Sequence, residues 1–494
     1  MSRVVVVGAG VGGLSAAARL AAHGHDVTVC ERADVVGGKL GRLERQTEAG
    51  TFRFDTGPSL LTMPEVFAEL FAETGERWPA GLDLEPLDPL IRHRFADGTR
   101  LDTAGDVDVT SARMDAAFGP PAGADWRRLA DRSERIWQAV RRPFLESPIG
   151  VREVARHAGR MGDLRTIAPG RTLRWLGEHY LSDPRQRTLF ERYATYTGSD
   201  PRRAPAALGV VPYLEQRFGG WYLRGGLGTL ADELARRVIG LGGKIRTSTE
   251  VIRIETAGDR ASGVLLAGGG RLPADVVVAN ADADHVYRDL LPQPSLVRRL
   301  RRSTPSLSAF VLLLGVRGRT PNLAHHNVLF PAAYDDEFDA IFGDPAAPVA
   351  DPTIYVSVPD DPAVRPEGHE AWFVLVNAPR HGTGRGAVDW DSPALRGSYA
   401  GRLLGLLAGR GLPVADRLLF SHVITPADLA RATRAPGGAI YGSSSNGARS
   451  AFLRPPNRSP VRGLFLVGGS THPGGGLPMV VLSARIVDRL IGPA

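Results

Sequence analysis

The 494-residue sequence predicts an α/β protein: an open parallel sheet with flanking helices, interrupted by an inserted mixed-sheet domain and a helical subdomain. Two stretches near opposite ends predict it. Val4-Val5-Val6-Val7 is a β-branched run of the kind that forms a strand buried on both faces, as in a parallel sheet. It leads into Gly8-Ala9-Gly10-Val11-Gly12-Gly13 and an Ala-rich helical stretch from Leu14 to His23. Far downstream, Gly463-Leu464-Phe465-Leu466-Val467 leads into Gly468-Gly469-Ser470, the loop Thr471 to Met479, and a helix from Val480 to Ile491.

The first stretch has the spacing of a Rossmann-type turn. Gly8 makes the tight turn, Gly10 lets the backbone approach a pyrophosphate, and Gly13 lets helix and strand pack closely; Gly12 lies between them. The helix N-terminus then offers free N–H groups and a positive dipole end to an anion. A second strand, Asp26 to Cys30, ends at Glu31, about 20 residues past the glycines, where an acid takes a ribose hydroxyl pair. In a chain with 59 glycines the motif alone is weak, and the flanking strand, helix, second strand and acid make it a dinucleotide site.

Composition narrows the class. Hydrophobic content of 43% with 23% charged residues is ordinary for a soluble globular protein. The net charge of +7 is carried almost wholly by arginine, the lysines being Lys39 and Lys244, and no nucleic-acid motif accompanies it. The single cysteine, Cys30, excludes an intrachain disulfide framework and a cysteine metal cluster, so a reducing, cytoplasmic setting is expected. No signal peptide is read at the N-terminus, and no stretch approaches the about 18 apolar residues of a membrane span.

The organisation in order follows. Residues 1–80 form the first part of the cofactor domain, 81–110 contribute short strands to a substrate domain, and 111–218 turn helical and Arg-rich. In that segment Leu129, Ile136, Trp137 and Val140, then Trp175, Leu176, Tyr180, Leu181, Leu189 and Phe190, make stripes that fit either a core or a membrane interface. Residues 219–300 return to the cofactor domain, 301–450 build a second sheet with one face suited to a long apolar ligand, and 451–494 close the cofactor domain.

Further contacts to the nucleotide are expected from Arg32, Gly38 and Lys39, from Gly57-Pro58-Ser59, and from Val251 at the start of a returning strand. The closing loop supplies Gly468, Gly469, Leu477, Pro478 and Met479 as a second backbone cradle, suited to the pyrimidine edge of a flavin. His472 in that loop is a candidate proton acceptor, with a structural role as the competing reading. His325-His326 has no supporting ligands in the sequence, so no metal site is expected.

Together these motifs resemble the bacterial phytoene desaturase-type carotenoid desaturases of the flavin-dependent amine oxidase-like superfamily, over almost the full length. The anchors are Gly8 to Gly13 with Glu31, Gly37-Gly38-Lys39, Asp55 to Ser59, Trp221 to Gly226, Asn280-Ala281-Asp282, Ala324-His325-His326, Thr425 to Leu429, Arg454 to Arg458 and Gly469 to Met479. The resemblance implies a Rossmann-type FAD-binding domain with FAD held noncovalently, a hydrophobic tunnel for a long apolar polyene, and peripheral association with the inner face of the cell membrane through the helical subdomain. The glycine-rich closing motif is nearer the hydroxycarotenoid 3,4-desaturase branch. Desaturation would send a hydride to flavin N5 and a proton to a base or water, with quinone or oxygen open as the final acceptor. An amine oxidase-like enzyme with a more polar substrate is the alternative.

Overall fold

The computed structural model describes residues 1–149, 164–447, 450 and 454–494. The stretch 150–163 of the expected helical subdomain lies outside them.

β1 (Arg3–Val7) pairs in parallel with β2 (Asp26–Cys30) on one side and with the strand Val276–Ala279 on the other. Lys244–Arg246 extends the β2 edge and Leu464–Leu466 the opposite edge, both parallel. One five-stranded sheet is thus assembled from widely separated stretches. The side-chain alternation of β1 sorts its two faces. Val4 and Val6 join the core beneath α1 (Val11–Ala22), with Leu14 and Leu20; Val5 and Val7 face Ile254, Val264 and Val286. α1 packs between the helices Gly228–Gly240 and Leu477–Ile491. A three-stranded antiparallel meander, Val251–Ala257, Arg260–Leu266 and Arg271–Pro273, covers the other face.

The second sheet has seven strands in the order Leu418–Ile424, Ser308–Arg317, His369–Ala378, Ile354–Ser357, His326–Leu329, Ile91–Arg94 and Arg100–Thr103. Neighbours are antiparallel except the parallel pair His326–Leu329 and Ile91–Arg94. On one face Phe310, Leu312, Leu314, Trp372, Val374 and Val376 pack with Tyr399, Leu403 and Leu407 of the helix Pro393–Gly409. On the other face Val311, Leu313, Ala371 and Phe373 meet Phe52 and Phe54 of the hairpin Arg42–Thr47/Gly50–Asp55. That hairpin ties the sheet to the cofactor domain.

Some elements differ from the sequence reading. Within 301–450 the second sheet includes two short strands that the sequence reading did not place, His326–Leu329 and Ile354–Ser357, with the helix Asp335–Phe342 between them. Four-residue strands are too short to display an alternation. Leu84–Pro86 leaves the second sheet and pairs with Trp221–Leu223. Within the helical 111–218 segment Leu173–Tyr180 and Pro184–Glu191 are separate helices, because Asp183 caps the second and Pro184 sits in its first turn. The stripe Leu129, Ile136 and Trp137 on the helix Ala122–Val140 is buried within the protein, with Leu176, Leu189 and Phe190. Those side chains pack inward and offer a bilayer nothing. Among the described residues no helix is long and apolar enough to cross a membrane.

Leu403 is fully buried between helix and sheet. Leu403→Ala should cost about 2–5 kcal/mol by leaving a cavity there, read as a lower thermal unfolding midpoint, whereas alanine at the exposed Ile239 should leave it unchanged.

Candidate cofactor and active site

The glycine turn is shaped by what its residues lack. A Cβ on Gly13 would lie 2.1 Å from the Gly8 carbonyl oxygen, so even alanine forces strand and helix apart. A Cβ on Gly10 or Gly12 would meet the Asn280 side chain, each at 2.7 Å, and one on Gly468 would meet Asn280 Oδ1 at 2.8 Å. Asn280 follows the strand beside β1, its N–H donating to the Val7 carbonyl, and its amide fills the space between the opening and closing glycine turns. The sequence reading used it only as a family marker. Its position just past a strand neighbouring β1 was the available signal.

Gly10 caps α1 without a side-chain partner, leaving first-turn N–H groups to an anion. Glu31 stands across the turn: one carboxylate oxygen accepts the Ala9 N–H at 2.7 Å and the other the Ala33 N–H at 2.8 Å. Spare lone pairs on both oxygens remain for ribose hydroxyls. The Arg32 guanidinium is spent on the carbonyls of Arg431 and Ala432, at 3.2 and 2.6 Å. Val251 borders a cleft of about 670 Å³ with Glu250, Arg288, Arg431 and Arg434, and Thr249 just before it donates its N–H to the Glu31 carbonyl.

The remaining predicted segments converge on the same place. A Cβ on Gly38 would sit 3.2 Å from Gly10 Cα, and one on Gly57 would sit 1.9 Å from the Lys39 carbonyl oxygen. Gly57-Pro58-Ser59 therefore lies directly over the Gly38-Lys39 turn. Gly476 begins the helix Leu477–Ile491 without a side-chain cap, so its first turn, with Leu477, Pro478 and Met479, presents a second uncapped helix N-terminus. Gly468 and Gly469 precede it in the same loop.

Beside that loop lies a charged cluster. Burial lowers the Lys39 ammonium and raises the Asp282 carboxyl, and each is partly restored by the other's charge. Lys39 Nζ donates to the Ile440 carbonyl, whereas Asp282 Oδ2 is a buried oxygen with no hydrogen-bond partner among the described residues. Arg454 is buried and donates to the carbonyls of Tyr441, Gly469 and Ser443 at 3.0, 2.9 and 2.7 Å, its basicity pushed down to about 10 by desolvation. It clamps the closing loop to the 441–443 segment.

The turns that reject a Cβ, the two uncapped helix starts and the orphaned Asp282 oxygen fit one extended ligand with an anionic centre and a polar ring edge.

His472 is fully buried. Its Nε2–H donates to the Ser147 carbonyl at 2.9 Å and its ring meets Phe144 edge-on at 5.0 Å. Desolvation pushes it down to about 4, so it is neutral at physiological pH.

A model of the flavin-containing amine oxidoreductase family matches residues 11–383. The chain belongs to that family. A hydroxyneurosporene desaturase of Cereibacter sphaeroides is 36% identical to this flavoprotein over 98% of its chain and 96% of the relative's. A 4,4'-diapolycopene oxygenase of Methylomonas is 34% identical over 99% and 98%, and a 1-hydroxycarotenoid 3,4-desaturase of Flavobacterium 30% identical over 99% of each. In architecture the chain is similar to a putrescine oxidase bound to putrescine, with TM-score 0.63 at 16% identity over 99% and 98% of the two chains. An oxidoreductase of Methanosarcina mazei gives TM-score 0.62 at 17% identity over 98% and 99%. The flavoprotein's cofactor is FAD. The residues above are those that would hold it.

Two predictions follow from this geometry. Gly13→Ala should yield protein with little bound flavin, seen as loss of the absorbance near 450 nm relative to protein, where roughly that wavelength is the cofactor's own band. Asp55 accepts the Leu227 and Gly228 N–H groups at 2.8 and 2.9 Å, and burial raises it to about 6 from 3.8. A carboxyl that binds its proton more tightly when folded stabilises most in acid, and that contribution is lost as pH rises from 3.8 to about 6. Across that window the thermal midpoint of wild type should fall relative to that of Asp55→Asn.

Proposed function

We propose that the flavoprotein is a carotenoid desaturase acting on a phytoene- or neurosporene-like polyene or a hydroxycarotenoid. The observation that carries this reading is full-length likeness to relatives named for carotenoid chemistry, at 30–36% identity. The small pocket beside the cradle is of mixed character, with Phe54, Ala371 and Phe373 lining it together with Arg42, Arg53 and Asp55.

In this reading bound FAD supplies the two-electron acceptor. The protein's part is to hold the substrate's saturated C–H bonds against the ring, exclude water and remove a proton. Gly8, Gly10, Gly12, Gly13, Glu31 and Val251 would hold the nucleotide end; Gly38, Lys39, Gly57, Pro58, Ser59, Gly468, Gly469, Leu477, Pro478 and Met479 would hold the ring end, and Arg32 ties the Glu31 turn to the Arg431–Ala432 carbonyls. Peripheral attachment to the cytoplasmic face of the membrane gives access to a lipid-dissolved substrate, and quinone or oxygen reoxidises the cofactor.

Expression in cells that accumulate phytoene, neurosporene or hydroxylated carotenoids tests this. The expected result is a product lacking two hydrogens, more conjugated, from one pool. A product that gains oxygen instead, or no product from any pool with turnover of an amine, would overturn it.

A further inference from the structure

A buried hydrogen-bonded chain joins the cofactor cradle to the second sheet. Ser59 Oγ lies 2.6 Å from Tyr355 Oη, and Tyr355 Oη lies 2.7 Å from His326 Nδ1. The three residues come from three different segments: the turn over Gly38-Lys39, the strand Ile354–Ser357, and the strand His326–Leu329. His326 is fully buried and its Nε2 has no partner among the described residues. At the other end Ser59 lines a pocket of about 30 Å³ with Tyr222, Ser357 and Phe373 and with the charged Arg42, Arg53 and Asp55. That volume accommodates a single water (about 10–15 Å³ of probe-occupied space is the minimum). The chain therefore opens on a water-sized space and ends blind.

We propose that Ser59, Tyr355 and His326 form a proton relay that receives the proton the substrate loses. The proposal rests on the desaturase reading. FAD, when bound, would supply the acceptor for the hydrogen and electron pair of one C–H bond. The neighbouring C–H bond breaks, and its electron pair becomes the new π bond. Its proton attaches to Ser59 Oγ, directly or through the pocket water. The Ser59 hydroxyl proton moves to Tyr355 Oη, and the Tyr355 proton moves to His326 Nδ1. His326 then carries protons on both nitrogens, and the relay resets by running backward to water once product has left.

The surroundings suit a temporary acceptor. His325 packs on His326 at 4.5 Å and Tyr355 stacks on it at 5.7 Å, while Tyr222 covers His325 at 4.6 Å. From the helical segment, Arg192 faces the same interior and donates to Tyr196 Oη at 2.9 Å; nearby Glu215 accepts from Tyr193 at 2.7 Å. Asp361, which accepts from Tyr222 at 2.9 Å, stands beyond His325. Burial, then the charges of His325 and Arg192, hold His326 well below its ordinary 6.5. A carbon acid beside a developing allylic cation is strong enough to protonate a weak base, and a weak base releases the proton promptly. His472 lacks such an exit: its Nε2–H is fixed to a backbone carbonyl, which cannot pass a proton onward.

The test uses the FAD-loaded enzyme, with Tyr355→Phe, His326→Gln and the double variant. First-turnover flavin reduction should slow by roughly 10²-fold in each, the scale of general base catalysis, with the double variant no slower than either alone because the residues act as a unit. KM and FAD content should stay at wild-type values, while the thermal midpoint falls by the cost of a buried group left unpaired. Wild type should slow in D2O, Tyr355→Phe should not, and the wild-type rate should stay flat from neutral pH down through 6.5. Independently of turnover, ¹⁵N-histidine NMR should find His326 Nδ1 unprotonated and hydrogen-bonded, with that signature lost in Tyr355→Phe. Variants within twofold of wild type, rate losses that multiply in the double variant, losses confined to KM or FAD retention, or a protonated Nδ1 would each overturn the relay. Absence of product from wild type itself would sink the parent reading instead.

Discussion

The structure depends on the contact between backbone and backbone at the opening turn. Strand and helix cross so closely at Gly8 and Gly13 that one methyl group on Gly13 would overlap a carbonyl oxygen. That approach sets where α1 begins, and so where its free N–H groups point. It also fixes how α1 wedges between the helices Gly228–Gly240 and Leu477–Ile491. Asn280 then fits its amide against the same glycines and against Gly468. The nucleotide cradle is thus the seam at which three distant parts of the chain are fastened.

Around the ring end, stability and function pull against each other. Lys39, Asp282 and Arg454 are placed where burial penalises charge. Arg454 recovers the cost through three carbonyls, but Asp282 leaves an oxygen unmatched. An unmatched buried acceptor costs about 1–3 kcal/mol, a strain that a bound polar ring edge relieves. The Ser59–Tyr355–His326 chain follows the same logic in uncharged form, buried polar groups with one nitrogen left open.

The cofactor fold was legible in the sequence because its signals are local. A valine run, spaced glycines and a terminal acid are all imposed by contacts within one βαβ unit, and the closing loop repeats the pattern. The second sheet was legible in the short strands of 81–110, of which Ile91–Arg94 and Arg100–Thr103 join it, and in the apolar runs of its two ten-residue strands, Ser308–Arg317 and His369–Ala378. Its other short strands are stabilised by neighbours from elsewhere in the chain, so their own residues carry little periodicity. Asn280, Arg454 and Tyr355 escaped as site residues for the same reason. Each becomes meaningful only through what lies across space from it. The stripe of Ala122–Val140 left core and membrane interface open, since a helix facing a core and one facing lipid have the same apolar arc, and burial of Leu129, Ile136 and Trp137 decides it for those side chains.

The edge strand Leu464–Leu466 and the helix Leu477–Ile491 give the protein a particular life history. During synthesis β1 and α1 are made well before α1's packing partner Leu477–Ile491 and the second half of the cradle, which lie far downstream of them. Contacts of such sequence separation form slowly. Until then the opening turn can hold a nucleotide's phosphates but nothing encloses the ring. Enclosure of the ring end therefore waits for the Gly468–Met479 loop, and without Leu464–Leu466 the strand Val276–Ala279 would be an open sheet edge.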